Sequence, residues 1–225
     1  KFNFPHFVYD YQDKFFDGVI NNFIESYANA ETPVPCIQCN QTVKFNDLLN
    51  EAQKLKADAL VTGHYAIRKG GLENAKLYKA KDLSKDQSYF LFATNQEQLN
   101  YIRFPLGDFL KTEIRQMAQS YELEVSDKPD SQDICFVTSS TYRELIEKIN
   151  PNLNKEGNIF NVDGSILGKH RGIANYTIGQ RKGIGVGGQD LPLYVIEINK
   201  EQNYIVLGRE DELKRSIIKF KNINL

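Results

Sequence analysis

The sequence predicts an α/β fold, and three observations carry that prediction. A helical pattern from about Val43 to Lys56 runs into a short apolar stretch, Ala59-Leu60-Val61-Thr62. That stretch breaks at Gly63-His64, and helix, strand and glycine loop in this order mark an open α/β sheet with a site at the strand's carboxyl end. After residue 150 the long helical patterns give way to short segments between Gly157, Gly164, Gly168, Gly172, Gly179, Gly183, Gly185, Gly187 and Gly188. This change of character sets a domain boundary near 140 to 150.

Each element follows from local pattern. Phe15/Phe16, Val19/Ile20, Phe23/Ile24 and Tyr27 recur at helical spacing and predict an amphipathic helix over 12–28. Pro33 and Pro35 then predict an extended, stiff path through Asn40. In the second helix Phe45, Leu48, Leu49, Ala52 and Leu55 fall on the inward face, and Ala59–Thr62 reads as a buried strand. Residues 65–79 read as a hairpin turning at Gly70-Gly71, and 86–94 as a short helix rich in aromatics. A further helix covers 111–121, with Ile114, Met117 and Ala118 inward. Lys128-Pro129-Asp130-Ser131 is a turn leading into Ile134-Cys135-Phe136-Val137. Thr141-Tyr142-Arg143-Glu144 fits a capping box for a helix that Pro151 stops. Leu193–Asn199 and Tyr204–Leu207 read as a β-hairpin, and 216–225 as a strand.

Composition excludes several classes. The 225 residues are 41% hydrophobic, 12% aromatic and 25% charged, which rules out a mostly disordered chain, a collagen and a membrane bundle. No apolar run approaches the ~18 residues of a membrane helix. The opening Lys1-Phe2-Asn3-Phe4-Pro5 lacks the basic and apolar regions of a signal peptide. The net charge of -1 does not announce a nucleic-acid binder, but its distribution is uneven. Residues 165–189 hold Lys169, Arg171, Arg181 and Lys182 and no acid, a patch able to grip phosphates or to form a solvated basic face. Three cysteines, an odd and small number, fit a reducing cytosol and predict a cytoplasmic protein.

Several residues are equipped for chemistry. Cys36-Ile37-Gln38-Cys39 is half a zinc site, for which Cys135, His6, His64 and His170 are the remaining candidate ligands. It is also readable as a redox pair, which its position after Pro-x-Pro weakens, or as two inert buried thiols, the more common use of cysteine. Cys135 reads as a buried strand residue, and nearby Asp130 and Asp133 would raise a thiol pKa. Gly63 lets a ligand approach the backbone, and His64 reads as a satisfied loop histidine or as a group that binds a phosphate or a base. Lys85-Asp86-Gln87-Ser88 gathers polar groups at a helix start, which Asp86 or Ser84 as an N-cap would also explain. Tyr176-Thr177-Ile178-Gly179-Gln180-Arg181-Lys182-Gly183 suits RNA contact or a tight turn.

The order of these blocks says more than any one of them. Thr32-Pro33-x-Pro35-x-x-x-Cys39-Asn40-x-x-x-Lys44-Phe45, Ala59-x-x-Thr62-Gly63-His64-Tyr65-Ala66, Lys85-Asp86-Gln87-Ser88-Tyr89-Phe90-Leu91, Phe104-Pro105-Leu106-Gly107, Asp130-Ser131-Gln132-Asp133-Ile134-Cys135-Phe136 and the 176–183 block together resemble the tRNA-specific 2-thiouridylases. The resemblance covers nearly the whole chain. It implies a partial doubly wound parallel-sheet domain binding an adenine nucleotide (1–140), a small α+β central domain binding tRNA (141–210) and the first strand of a truncated β-barrel (211–225). The implied reaction is ATP- and Mg²⁺-dependent thiolation of C2 of uridine 34 in tRNA, fed by a persulfide-donor protein, with no structural metal and no membrane. The resemblance gives Cys135 the persulfide and Cys39 the role of nucleophile or disulfide partner. It places Gly63 at ATP, and Pro35, His64, Lys85, Asp86 and Gln87 at tRNA; Arg181 and Lys182 join them through the basic block.

The chain departs from the family pattern in three places. The family's Ser-Gly-Gly-x-Asp-Ser phosphate loop precedes the first residue here, and most of the barrel lies beyond the last. Val34 also stands where the family usually has Asn. These 225 residues alone are therefore expected not to adenylate uridine. The competing readings are a non-catalytic tRNA-binding remnant and a C-x-x-C zinc or redox protein.

Overall fold

The structure, a computed structural model, describes residues 4–129, 134–137, 142–188, 191–220 and 223. In chain order its elements are α1 (Gln12–Phe15), α2 (Asn22–Ala28), α3 (Pro35–Cys39), α4 (Leu49–Lys54), β1 (Leu60–Val61), β2 (Ala66–Lys69), β3 (Lys76–Lys79), α5 (Gln96–Tyr101), β4 (Ile102–Arg103), α6 (Lys111–Ser120), α7 (Tyr142–Ile149), β5 (Gly157–Asn161), β6 (Ile166–His170), β7 (Tyr194–Asn199) and β8 (Tyr204–Gly208). Wider π-helical turns, Phe16–Asn21 and Asn40–Leu48, continue α1 and α3. The chain forms two compact units, one of Lys1–Val19, Pro35–Asp130 and Asn224–Leu225, the other of Ile20–Val34 and Ser131–Ile223.

In the first unit β1 pairs in parallel with β4, Leu60 opposite Ile102. The Thr62 N–H donates to the Arg103 carbonyl at 3.0 Å and extends this pairing toward Gly63. β2 and β3 form the expected antiparallel hairpin. The core gathers Phe45 and Leu49 from the helical run, Ala66 from β2, Leu91, Leu99 from α5, and Ile102 and Phe104. Burying each of the larger side chains contributes about 1.5–3 kcal/mol. Asn95 starts α5 with a reciprocal cap: its Oδ1 accepts from Gln98 N at 2.9 Å, and its N–H donates to Gln98 Oε1 at 3.0 Å.

Three expectations for this unit are corrected. The stretch through Asn40 is not extended, because α3 begins at Pro35. A proline at the first helical position forfeits no hydrogen bond, and its fixed φ already suits the helix. Strand β1 is also not buried on both faces. Successive strand residues point opposite ways, so Leu60 packs on the core while Val61 is 61% exposed. Leu55, expected inward, lies just past α4 and is exposed.

The second unit is built on a four-stranded sheet in the order β6-β5-β8-β7. The central pair β5/β8 is parallel, and both outer pairings are antiparallel. Ile159, Val195, Ile205 and Leu207 are fully buried and are joined by Ile173, Tyr176 and Ile184. A separate cluster packs Phe23, Ile24 and Tyr27 of α2 against Ile146 of α7 and Ala174. Sequence reading found the β7–β8 hairpin but not β5–β6. The available signal was Asp163-Gly164 between apolar runs. There Asp163 Oδ1 accepts from Ser165 N at 2.8 Å, and Gly164 takes φ 86°. Residues 216–220 and 223, expected as the first strand of a barrel, form no strand, and Ile217, Ile218 and Phe220 are exposed. A strand exists only with a bonded neighbour, and apolar character alone does not supply one. Thr141 and residues 130–131 of the expected turn lie outside the described residues.

Candidate functional site

The first unit brings three separated blocks together. Asn40, directly after Cys39, donates from Nδ2 to the Phe90 carbonyl at 3.3 Å and joins the end of α3 to the 88–91 turn. Phe45 packs edge-on against the His64 ring, 5.9 Å between centroids. Gln87 holds Tyr65 from both sides: its Oε1 accepts from Tyr65 N at 2.9 Å, and its N–H donates to the Tyr65 carbonyl at 2.8 Å. The helix bearing Pro35 and Cys39, the Gly63-His64-Tyr65 corner and the Lys85-Asp86-Gln87 loop are thereby linked. Pro35 is buried, Cys39 half-buried and Cys36 exposed. None of the three cysteines is in a disulfide.

His64 sits at the carboxyl end of β1 as a neutral ring. Burial, reinforced by the nearby Lys44 cation, pushes its pKa down to about 4. Its Nδ1 shares a hydrogen bond with Thr62 Oγ1 at 2.9 Å, and Phe104 closes the other side of the ring at 6.1 Å. At neutral pH His64 therefore offers hydrogen bonds and no charge, which suits a base edge or carbonyl better than a phosphate. Gly63 is exposed, and a Cβ there would meet only Leu106 Cδ1, at 3.8 Å. Internal packing does not require glycine at this corner. By contrast Gly107 is required, because a Cβ would overlap the Ala66 carbonyl behind the corner.

The 80–88 loop is held by its own carboxylates. Asp86 accepts from Ala80 N at 2.8 Å, from Ser88 Oγ at 2.8 Å and from Ser88 N at 3.3 Å. Burial alone would raise its carboxyl; these donors outweigh it and hold the pKa below the usual value. Asp86 thus ties β3's exit to the turn, and the expected cap by Asp86 or Ser84 is replaced by this loop tie, Gln87 being the N-cap position without a side-chain cap bond. Asp82 braces the other end, accepting from Ser84 Oγ at 2.6 Å and from Lys111 N at 3.0 Å at the start of α6. Sequence reading passed over Asp82, and it gave no individual role to Thr62, Asn40 and Tyr65, which stand in the quoted blocks. Among the described residues, Asn40 Oδ1 and the Tyr65 hydroxyl are buried without a hydrogen-bond partner. Orphan polar atoms of this kind mark a place where water or a ligand completes the network.

The second unit presents its candidates differently. Cys135 is exposed in a turn closed by Val137 N donating to the Ile134 carbonyl at 3.0 Å. The expectation of a buried strand residue is therefore corrected. The apolar neighbours of Cys135 take the burial: Ile134 and Phe136 pack on the α2 cluster, Phe136 edge-on to Phe23 at 5.5 Å. Asp130 and Asp133 lie outside the described residues. Arg181 and Lys182 are both exposed on the glycine-rich loop. Gln180 braces that loop, accepting from Thr177 N at 3.1 Å and donating to the Lys182 carbonyl at 3.0 Å. A cleft of about 660 Å³ beside it is lined by Lys169, Arg171, Tyr176 and the 183–185 turn, with Glu147 and Glu156 opposing their charge.

His170 is fully buried and used within its unit, its Nδ1 accepting from Gly172 N at 3.0 Å and its Nε2 bonded to the Asn203 carbonyl at 3.1 Å. Burial holds its pKa low. Among the described residues no group of three or more His, Cys, Asp or Glu is placed to hold a metal ion, and no helix is long and apolar enough to cross a membrane.

Comparison with known proteins gives this geometry a setting. Residues 1–139 match the tRNA methyl transferase HUP domain, and residues 144–209 the tRNA methyl transferase PRC-barrel domain. The chain is 54% identical over 220 residues to the tRNA-specific 2-thiouridylase MnmA of Orientia tsutsugamushi, covering 98% of the chain and 59% of that protein. It is 48% identical over 225 residues to the MnmA of Dinoroseobacter shibae, covering 100% of the chain and 59% of that protein. The MnmA of Rickettsia massiliae is 49% identical over 224 residues, again covering 100% of the chain and 61% of that protein. The chain thus spans about three fifths of the length of the curated relatives it matches. With the HUP description covering more than half of its residues and identity near one half along its length, the chain belongs to the tRNA-specific 2-thiouridylase family.

Proposed function

We propose that this chain carries the sulfur-transfer machinery of an enzyme that converts C2 of uridine 34 in tRNA from a carbonyl to a thiocarbonyl. Cys135 holds the persulfide delivered by a donor protein, and Cys39 is the second thiol. The observation that carries the reading is the presentation of Cys135. Two anchored apolar neighbours fix the turn, and the thiol between them faces solvent, where a donor and an RNA base can both reach it.

ATP with Mg²⁺, when bound, supplies the activation that makes the C2 oxygen a good leaving group. Gly63 fits its approach, because the backbone there is exposed and a Cβ would meet little. The terminal sulfur of the Cys135 persulfide attacks C2, and the activated oxygen departs with AMP. The Cys39 thiolate then attacks the Cys135 sulfur. The sulfur–sulfur bond breaks, C2 keeps the sulfur, and a Cys39–Cys135 disulfide remains. Neutral His64, with Pro35, Lys85, Asp86 and Gln87, forms the RNA-facing side of the first unit; Arg181 and Lys182 hold the RNA backbone in the second. Catalysis over 1–140, tRNA binding over 141–210 and a cytoplasmic location belong to the same proposal.

The test is nucleoside mass spectrometry on unmodified tRNA incubated with the natural gene product, ATP and a persulfide donor. The expected result is 2-thiouridine at position 34 only when ATP is present. Tight tRNA binding with no 2-thiouridine under any combination would instead support a binding remnant.

A further inference from the structure

The proposed sulfur transfer leaves Cys36 unused, and the structure places it one helical turn from Cys39. Both lie within α3, Pro35–Cys39. Residues i and i+3 of an α-helix share a face, with Cα atoms about 5 Å apart. Disulfides span Cα separations of roughly 4.4–6.8 Å, which this spacing meets, and Cβ separations of roughly 3.5–4.5 Å, which the about 5–6 Å of such a pair reaches only if the turn tightens. Cys36 is exposed and Cys39 half-buried, which leaves Cys36 open to reductants and small thiols. The expected extended path through Pro33 and Pro35 argued against a redox pair; the helix that begins at Pro35 removes that objection.

We propose that Cys36 and Cys39 form a local dithiol–disulfide couple in which Cys36 resolves any sulfur bonded to Cys39. The Cys36 thiolate, its proton passed to solvent, attacks Cys39 Sγ. The bond between Cys39 and its partner sulfur breaks, the Cys36–Cys39 bond forms, and the partner leaves as a thiolate. The exchange is redox-neutral overall: the Cys36 sulfur is oxidised to the disulfide level, Cys39 stays at that level, and the departing sulfur is reduced to a thiolate. Two molecules of a small thiol such as glutathione then reduce the Cys36–Cys39 bond and leave as their disulfide. Where the partner sulfur is Cys135, a step that rests on the function proposed above, the attack returns Cys135 as a thiol ready for the next persulfide.

The test uses the full-length natural protein carrying Cys135→Ser, so that only the local pair is read. One equivalent of the aromatic disulfide 5,5′-dithiobis(2-nitrobenzoate) is added, and the peptide holding residues 36 and 39 is weighed. The expected peptide is lighter by two hydrogens and carries no aromatic adduct. Adding Cys36→Ser should leave the adduct on Cys39 and extend its lifetime at least about tenfold. A persistent adduct on Cys39 with Cys36 intact, or two separate adducts, would overturn the couple. A 2-thiouridine assay on the same C135S protein reads the transfer reaction separately, so loss of one reading does not mask the other.

Discussion

The two compact units hold their candidate residues in opposite ways. In the first, the polar residues that resemble an RNA-binding surface are bound into the structure: Gln87 clasps the Tyr65 backbone, Asp86 spans Ala80 and Ser88, and Thr62 pairs with His64. In the second, Cys135, Arg181 and Lys182 stand exposed on turns anchored by their neighbours. Substitutions should therefore act differently in the two. Changes in the first unit disturb position and stability together, whereas changes in the second remove chemistry or charge and leave the fold intact.

The largest effect should come from the thiols. Cys135→Ser and Cys39→Ser, each in the natural-length protein, should lower 2-thiouridine formation at least about 100-fold by single-turnover assay. C135S should leave the urea midpoint within about 0.5 kcal/mol of wild type, because an exposed turn residue supports no packing. A large stability loss in C135S would erase the distinction between the units.

Next is Asp86. D86N weakens the acceptor of three hydrogen bonds and should destabilise the protein by about 1–3 kcal/mol in urea unfolding. The pH dependence has a definite sign. The folded carboxyl titrates below its unfolded value, so its stabilisation is full above the unfolded pKa and is lost as pH falls through the folded one. D86N should flatten that acid limb.

His64 gives a smaller effect in a different window. Its folded pKa of about 4 lies below the ordinary value of 6.5. As pH falls from 6.5 toward 4 the unfolded chain takes up a proton that the folded ring refuses, so stability declines over that range. An NMR titration should find the ring neutral at pH 6, and H64Q should remove most of this decline. Buried His170 contributes in the same direction and should remain in H64Q.

The smallest change in the fold should follow R181A/K182A. Taking these two cations away from the RNA phosphates should weaken tRNA binding about tenfold and reduce the salt slope by about 2, with stability unchanged. An unchanged slope would place the RNA elsewhere on this unit, and the cleft lined by Lys169 and Arg171 is then the next place to substitute.

Much of this arrangement was legible in the sequence. Helical periodicity located the α1–α2 run and the helix through α4, because such patterns depend only on local spacing, and the order of blocks pointed to the family that the comparisons show. What was missed turned on which of several locally allowed uses each residue took. Pro35 opened a helix instead of extending a loop, Val61 turned out to solvent, and Cys135 was spared burial because Ile134 and Phe136 took it. The structural use of Asp82 was also hidden, and that of Asp86 was legible only as a helix cap and not as the tie from Ala80 to Ser88, since a carboxylate in a polar loop looks the same whichever backbone groups it meets.

The location of the transferred sulfur is the decisive observable. The natural-length protein is charged with a persulfide donor, and its peptides are weighed before and after adding ATP and unmodified tRNA. One extra sulfur atom is expected on the Cys135 peptide, discharged only when ATP and tRNA are both present. Sulfur found on Cys39 alone, or retained on Cys135 while 2-thiouridine accumulates, would contradict the assignment of the persulfide to Cys135.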